Sequence, residues 1–157
     1  MSSKDSFKTH TLFDFANSYF SEKFNIRVPG EPEESSTYDN GFFNGSIDLF
    51  FRHREKYYIV DWKTNKLETP ALYDNGKLKY AMAESRYYLQ YMIYTAALFK
   101  YLKQRLGSDE DDEALYDRYF GGVRYIFLRG FTGPAGRGIF SDRLSYADLK
   151  KLDEIIG

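Results

Sequence analysis

No cysteine occurs in the 157 residues. Disulfide frameworks, thiolate metal sites and cysteine nucleophiles are therefore excluded, and the composition fits a reducing compartment. No stretch approaches the roughly 18 consecutive apolar residues that a membrane span requires, and the opening MSSKDSFKTH lacks the apolar core of a signal peptide. The expectation is a cytoplasmic chain with no membrane partner. A GxxxxGK[ST] phosphate loop is also absent, so no ATPase or helicase motor is encoded here. Neither sign of charge dominates: 22 basic residues face 23 acidic ones, for a net charge of −1.

What is present describes one ordinary soluble domain over residues 1–157. The chain is 43% hydrophobic, 29% charged and 19% aromatic. A fold of this length buries roughly 68–70% of the surface its unfolded chain exposes. The charge is unevenly spread. Residues 76–106 carry six basic side chains against one acid, while Asp109, Glu110, Asp111, Asp112 and Glu113 form an acidic run. That distribution permits a local anionic ligand.

The first forty residues combine a weak helical pattern (Leu12, Phe13, Phe15, Ala16, Tyr19, Phe20) with the turn-rich stretch from Pro29 to Ser36. From Asn44 the period becomes two. GSIDLFF (45–51), a polar turn and YYIVDWK (57–63) read as an antiparallel hairpin. Residues 64–79 read as a loop. Tyr80 to Leu106 contain no Gly or Pro and repeat apolar residues at three-to-four spacing, which predicts one long helix ended by Gly107. The acidic run reads as a solvated connection. A strand over 122–129 follows, then a Gly/Pro loop from Thr132 to Gly138, and a terminal helix from Ser145 to Ile156 with Ser145 as its cap.

Side chains two apart on a strand share a face, so Asp61 and Lys63 project together and Trp62 projects away. A hairpin turning between Arg54 and Glu55 places Asp48 directly opposite Asp61. Two converging carboxylates repel, and a hard cation such as Mg²⁺ relieves the repulsion, with the Trp62 carbonyl as a further oxygen. Lys63 beside it can orient or activate water, or stabilise charge on a phosphate. The same three residues also fit a solvent-facing ion-pair face. Against that stands their setting, since acids within the apolar runs Ile47–Phe51 and Ile59–Trp62 are costly unless paired or metal-bound.

On the predicted helix, Tyr87, Gln90, Tyr94, Ala97 and Tyr101 form one stripe. Gln90 and Tyr94 can bond a phosphate or buttress the carboxylates, or the tyrosines can simply cover a core edge with their hydroxyls in water. Arg86, Lys100, Lys103 and Arg105 are placed to attract a nucleic-acid backbone.

The ordered blocks GSIDLFF, IVDWKTN, YYLQYMIYTAAL and FGGVRYIFLRG resemble the C-terminal nuclease domain of RecB-type beta subunits of exodeoxyribonuclease V, within the PD-(D/E)xK nuclease superfamily. The similarity runs from Gly41 to Gly130 and extends to Gly138-Ile139-Phe140. It implies an α/β fold, a restriction-endonuclease-like mixed sheet flanked by helices. It further implies that Asp48 and Asp61 ligate Mg²⁺ or Mn²⁺, that Lys63 is the catalytic lysine, and that Gln90 and Tyr94 are a supporting QxxxY pair. Trp62 departs from the tyrosine usual in the DYK triplet, on the opposite face. Tyr73 matches a tyrosine frequent before this helix. The family's upstream metal-binding histidine has no counterpart except His10, in a different context, so the histidine helix is expected to be missing; His53 falls at the hairpin turn.

By the same resemblance the motor lies N-terminal to the nuclease, and the parent is a helicase-nuclease of double-strand-break recombination and repair. Its implied partners are DNA and other subunits of an exonuclease V complex, the gamma chain first and the alpha chain second. The competing class is a catalytically silent DNA-binding or subunit-docking module on the same fold.

Overall fold

The computed structural model describes residues 3–30, 46–107, 109, 111–131, 133 and 137–157. The turn-rich stretch beyond Gly30, the start of GSIDLFF, Glu110 and most of the Gly/Pro loop lie outside them. The alternating segments form strands β1 (Leu49–His53) and β2 (Lys56–Lys63), paired antiparallel with Leu49 opposite Val60 and His53 opposite Lys56, the expected register. Arg54 at the turn has φ 51°, the left-handed conformation that a tight two-residue hairpin turn needs.

Strand β3 (Phe120–Phe127) pairs parallel with β2, and β4 (Ile139–Asp142) pairs antiparallel with β3, giving the order β1-β2-β3-β4 among the described residues. Parallel neighbours need a long crossover. Here it contains α2 (Leu78–Glu84), α3 (Tyr87–Leu106) and α4 (Asp112–Tyr119). Helices α1 (Ser3–Phe24) and α5 (Tyr146–Ile156) pack against α3 and each other. The core lies between α3 and one sheet face, where Ile59, Val123, Tyr125 and Phe127 are fully buried. On the other face Leu49, Phe51 and Trp62 stay exposed. The expected α/β mixed sheet flanked by helices is thus borne out, and no helix among the described residues is long and apolar enough to cross a membrane.

Several local readings need correction. The single helix over 80–106 is two helices. Ser85 ends α2, and Arg86 takes φ 50° before α3 begins. No Gly or Pro marks the break, because tertiary bonds make it: Arg86 donates to the Gly30 carbonyl, and Asn65 Nδ2 donates to Ser85 Oγ at 3.4 Å. The acidic run does more than connect. Asp111 caps α4 by accepting from the backbone N–H groups of Glu113 and Ala114. The weak N-terminal pattern is a 22-residue helix whose Leu12, Ala16 and Phe20 enter the core. Strand β4 had no reading of its own. The terminal helix is as expected, with Ser145 Oγ accepting from Asp148 N–H at 3.1 Å.

Four tyrosines, Tyr88, Tyr91, Tyr116 and Tyr125, are fully buried. Each hydroxyl is satisfied, by Asn17 Oδ1, Asp142 Oδ2, the Leu144 carbonyl and Gln90 Oε1 respectively.

The β2–β3 pairing slips by one residue, Tyr57 facing Phe120 and Tyr58 facing Gly122. Gly122 has φ 109°, and a Cβ there would sit 2.5 Å from the Asp142 carbonyl oxygen. Gly122→Ala is expected to lower stability by about 2 kcal/mol, read as a reduced urea midpoint. Gly76→Ala, with nothing within 4 Å of the added Cβ, is the control expected to leave the midpoint in place.

Candidate active site

Two strand ends and one helix face build the site. Asp48 immediately precedes β1, so the hairpin register continues to it and sets it across from Asp61. It is exposed, and its Oδ2 accepts from the Trp62 N–H at 3.1 Å, a side chain closing the hairpin where the backbone ladder stops. The N–H and C=O of one strand residue point to the same edge. The Trp62 carbonyl therefore faces the Asp48 side as well, while its indole lies exposed on the other sheet face.

Asp61 is only 2% exposed. Its Oδ1 lies 2.6 Å from Lys63 Nζ. Apart from that ion pair, this oxygen has no hydrogen-bond partner. Burial pushes its carboxyl above the usual range, Lys63 opposes the rise and Asp48 adds to it.

Lys63 Nζ also donates to Gln90 Oε1 at 3.0 Å, and it lies 3.9 Å from the ring centroid of Tyr87 and 5.1 Å from that of Tyr125. Gln90 Oε1 accepts a second bond, from the Tyr125 hydroxyl at 2.8 Å. The Gln90 amide nitrogen donates to the Tyr94 hydroxyl at 3.1 Å, which in turn donates to the Ser46 carbonyl at 2.9 Å. Burial and the two nearby carboxylates raise the Tyr94 hydroxyl pKa, with Gln90 opposing. One chain of bonds thus runs from the central strand, through α3, to the segment that carries Asp48.

The stripe residues Tyr87, Gln90 and Tyr94 therefore turn toward the acids and the lysine. Tyr73 anchors the segment after Lys63, its hydroxyl donating to the Asn65 carbonyl at 2.8 Å and accepting from Leu67 N–H at 2.9 Å. The basic surface is weaker than the charge count implied. Lys100 pairs with Asp153 of α5, Lys103 pairs with Asp112 of α4, and Arg86 is engaged by the Gly30 carbonyl. His53 ends β1 on the surface. His10 lies on α1 and joins no metal-holding group with Asp48 and Asp61, since among the described residues no three His, Asp or Glu side chains are arranged to hold a metal ion.

Sequence reasoning missed Tyr125. In the strand pattern it is one of three alternating buried residues, Val123, Tyr125 and Phe127, and reads as core; only the α3 crossing brings its hydroxyl to Gln90.

The donor types suit a hard divalent cation: two carboxylates close enough for one charge to be felt by the other, a backbone carbonyl facing the Asp48 side, and a buried carboxylate oxygen held by nothing but an ammonium.

The RecBCD enzyme subunit RecB of Haemophilus influenzae is 39% identical over 162 residues, covering 99% of this chain and 13% of that protein. The Escherichia coli subunit of the same name is 40% identical over 73% of this chain and 10% of its own length, and that of Mycolicibacterium smegmatis 39% over 59% and 9%. Over most or nearly all of its length the chain is homologous to one segment of RecB subunits. It spans about an eighth or less of the RecB subunits it matches. No protein-family model matches it. The RecB kinship bears out the resemblance carried by the four sequence blocks.

The electrostatics can be tested without metal. In Lys63→Met both influences that lower the Asp61 pKa vanish, while burial and Asp48 remain, so its carboxyl rises further. The unfolded chain still ionises near the ordinary value of 3.8. Above that pH the folded state holds the proton longer than the unfolded state, so stability falls as pH rises until the raised pKa is passed. Urea unfolding from pH 4 to 7 is expected to show a larger loss in Lys63→Met than in the parent chain, up to about 1.4 kcal/mol per pH unit within the window.

Proposed function

We propose that this chain is a divalent-metal-dependent DNA nuclease domain that hydrolyses phosphodiester bonds. The observation that carries the reading is Asp61: a buried carboxylate opposite Asp48, with one oxygen left to the Lys63 ammonium alone. Stability alone favours replacing such a pair by apolar side chains. Its presence at the core edge supports the reading of a site.

In this reading Asp48, Asp61 and the Trp62 carbonyl hold Mg²⁺, with Mn²⁺ as a substitute. A divalent ion held there would supply positive charge to a phosphate and lower the pKa of a water. Lys63 places one N–H on Asp61 and one on Gln90. The former can shift as a hydrogen bond to a phosphate oxygen and stabilise the charge that develops there. Gln90 holds the lysine against Tyr125, and Tyr94 steadies the segment leading to Asp48. Arg86 lies beside this helix face as a candidate DNA contact.

The RecB kinship supports the wider placement: DNA as substrate, a helicase-nuclease of recombination and repair as context, and a multi-subunit complex as setting. The gamma chain of an exonuclease V complex is the partner the motif resemblance implies first, and the alpha chain the second. A second reading, a silent DNA-binding or docking module, draws on the absence of a third His, Asp or Glu beside Asp48 and Asp61 among the described residues.

Calorimetric titration of Mg²⁺ or Mn²⁺ into the chain, with degradation of labelled single-stranded DNA, separates the two. Metal binding and cleavage are expected in the parent. Asp48→Asn should lose the binding heat, and Asp61→Asn and Lys63→Ala should each drop cleavage by about 10²-fold or more with the fold intact. Cleavage retained in Asp61→Asn refutes the mechanism; metal-independent DNA binding without turnover in the parent establishes the silent module.

A further inference from the structure

Lys63 is confined by more than its charge partners. A lysine stem has four rotatable carbons and a compact charge, so an ion pair and one amide bond leave its head free to swing. Here the face of Tyr87 closes the remaining side at 3.9 Å from Nζ, with Tyr125 behind it at 5.1 Å.

The ring is itself fixed. Tyr87 is the first residue of α3, immediately after the left-handed Arg86 that interrupts the helix. Its hydroxyl donates to Asn65 Oδ1 at 3.0 Å, and the Asn65 amide nitrogen reaches Ser85 Oγ at the end of α2. The ring leans on Tyr125 and Phe127, with centroids 5.9 and 6.4 Å away. Asn65, two residues beyond Lys63, thus ties the strand end to the helix break, and the break aims the ring at the ammonium. A backbone conformation of this kind on a non-glycine residue persists only where its surroundings enforce it, and such positions concentrate at functional sites.

We propose that Tyr87 is a positioning residue for the reaction, anchored by Asn65, whose ring face fixes the Lys63 ammonium between Asp61 and Gln90. This rests on the nuclease reading above. Packing alone does not require the arrangement, since a leucine fills comparable core space without attracting a cation. A ring face under a partly desolvated ammonium is an added attraction large enough to change a rate.

The test uses the whole chain on labelled single-stranded DNA at saturating Mg²⁺. Tyr87→Leu is expected to lower kcat by about 10-fold, with the KM for DNA and the Mg²⁺ affinity within about twofold of the parent. Tyr87→Phe, which keeps the ring, should restore kcat to within about threefold, and Asn65→Ala should fall between. A second readout needs no activity: in the NMR spectrum of the metal-free chain, the Lys63 ε-methylene protons should be shifted upfield by the ring, and the shift should vanish in Tyr87→Leu. Unchanged kcat in Tyr87→Leu, an equal loss in Tyr87→Phe, or no ring shift in a parent that cleaves overturns the positioning role. A parent that shows the ring shift but never cleaves overturns the nuclease reading, and the positioning role falls with it.

Discussion

Placing the Asp61 carboxylate under helix α3 is the constraint to which the surrounding structure answers. Removing an ion from water carries an effective penalty of several kcal/mol even after relaxation, far above the roughly 0–1 kcal/mol that an exposed ion pair returns. The response is layered. Lys63 supplies the opposite charge, Gln90 and Tyr87 hold Lys63, Tyr125 and Tyr94 hold Gln90, and Asn65 holds Tyr87.

A second buried acid shows what a satisfied one looks like. Asp142, 6% exposed, accepts from the Tyr19 hydroxyl at 2.9 Å, the Tyr91 hydroxyl at 2.6 Å and the Arg143 N–H at 2.7 Å, and pairs with Lys23 at 2.6 Å. Both of its oxygens are occupied, and it joins α1 and α3 to β4. The Asp61 side chain is as buried as that of Asp142, at 3% and 2% exposed, but has fewer partners, and one of its oxygens meets only an ammonium. That contrast, within one small protein, separates an acid whose acceptors are all occupied from one that keeps acceptor capacity unused.

The arrangement depends on topology as much as on residue type. Since β2 and β3 run parallel, the chain must cross the sheet between them, and α3 is laid over the shared face as a result. That crossing places Gln90 above Lys63 and Tyr125 on neighbouring strands. The Lys100–Asp153 and Lys103–Asp112 pairs follow from the same packing, because α3 runs past α4 and α5. Charges that look like an open basic surface in the sequence are consequently divided between the site end of the helix and its structural end.

Local rules made part of this legible in advance. Period-two patterning and a two-residue turn placed Asp48 against Asp61, and a serine followed three residues later by aspartate marked the start of α5. Both are short-range: strand alternation and helix capping act within a few residues, so the amino-acid order alone determined the hairpin register, the DWK face, the Gln90–Tyr94 pair and the RecB resemblance. The break at Arg86, the strand β4, the pairing of the α3 lysines and the role of Tyr125 were decided only by tertiary structure. Each depends on a partner far away in the chain, such as the Gly30 carbonyl for Arg86, Val123–Ile126 for β4, Asp153 for Lys100 and Gln90 for Tyr125. Hydrogen bonds and ion pairs across such separations exist only once the sheet and helices have brought their ends together.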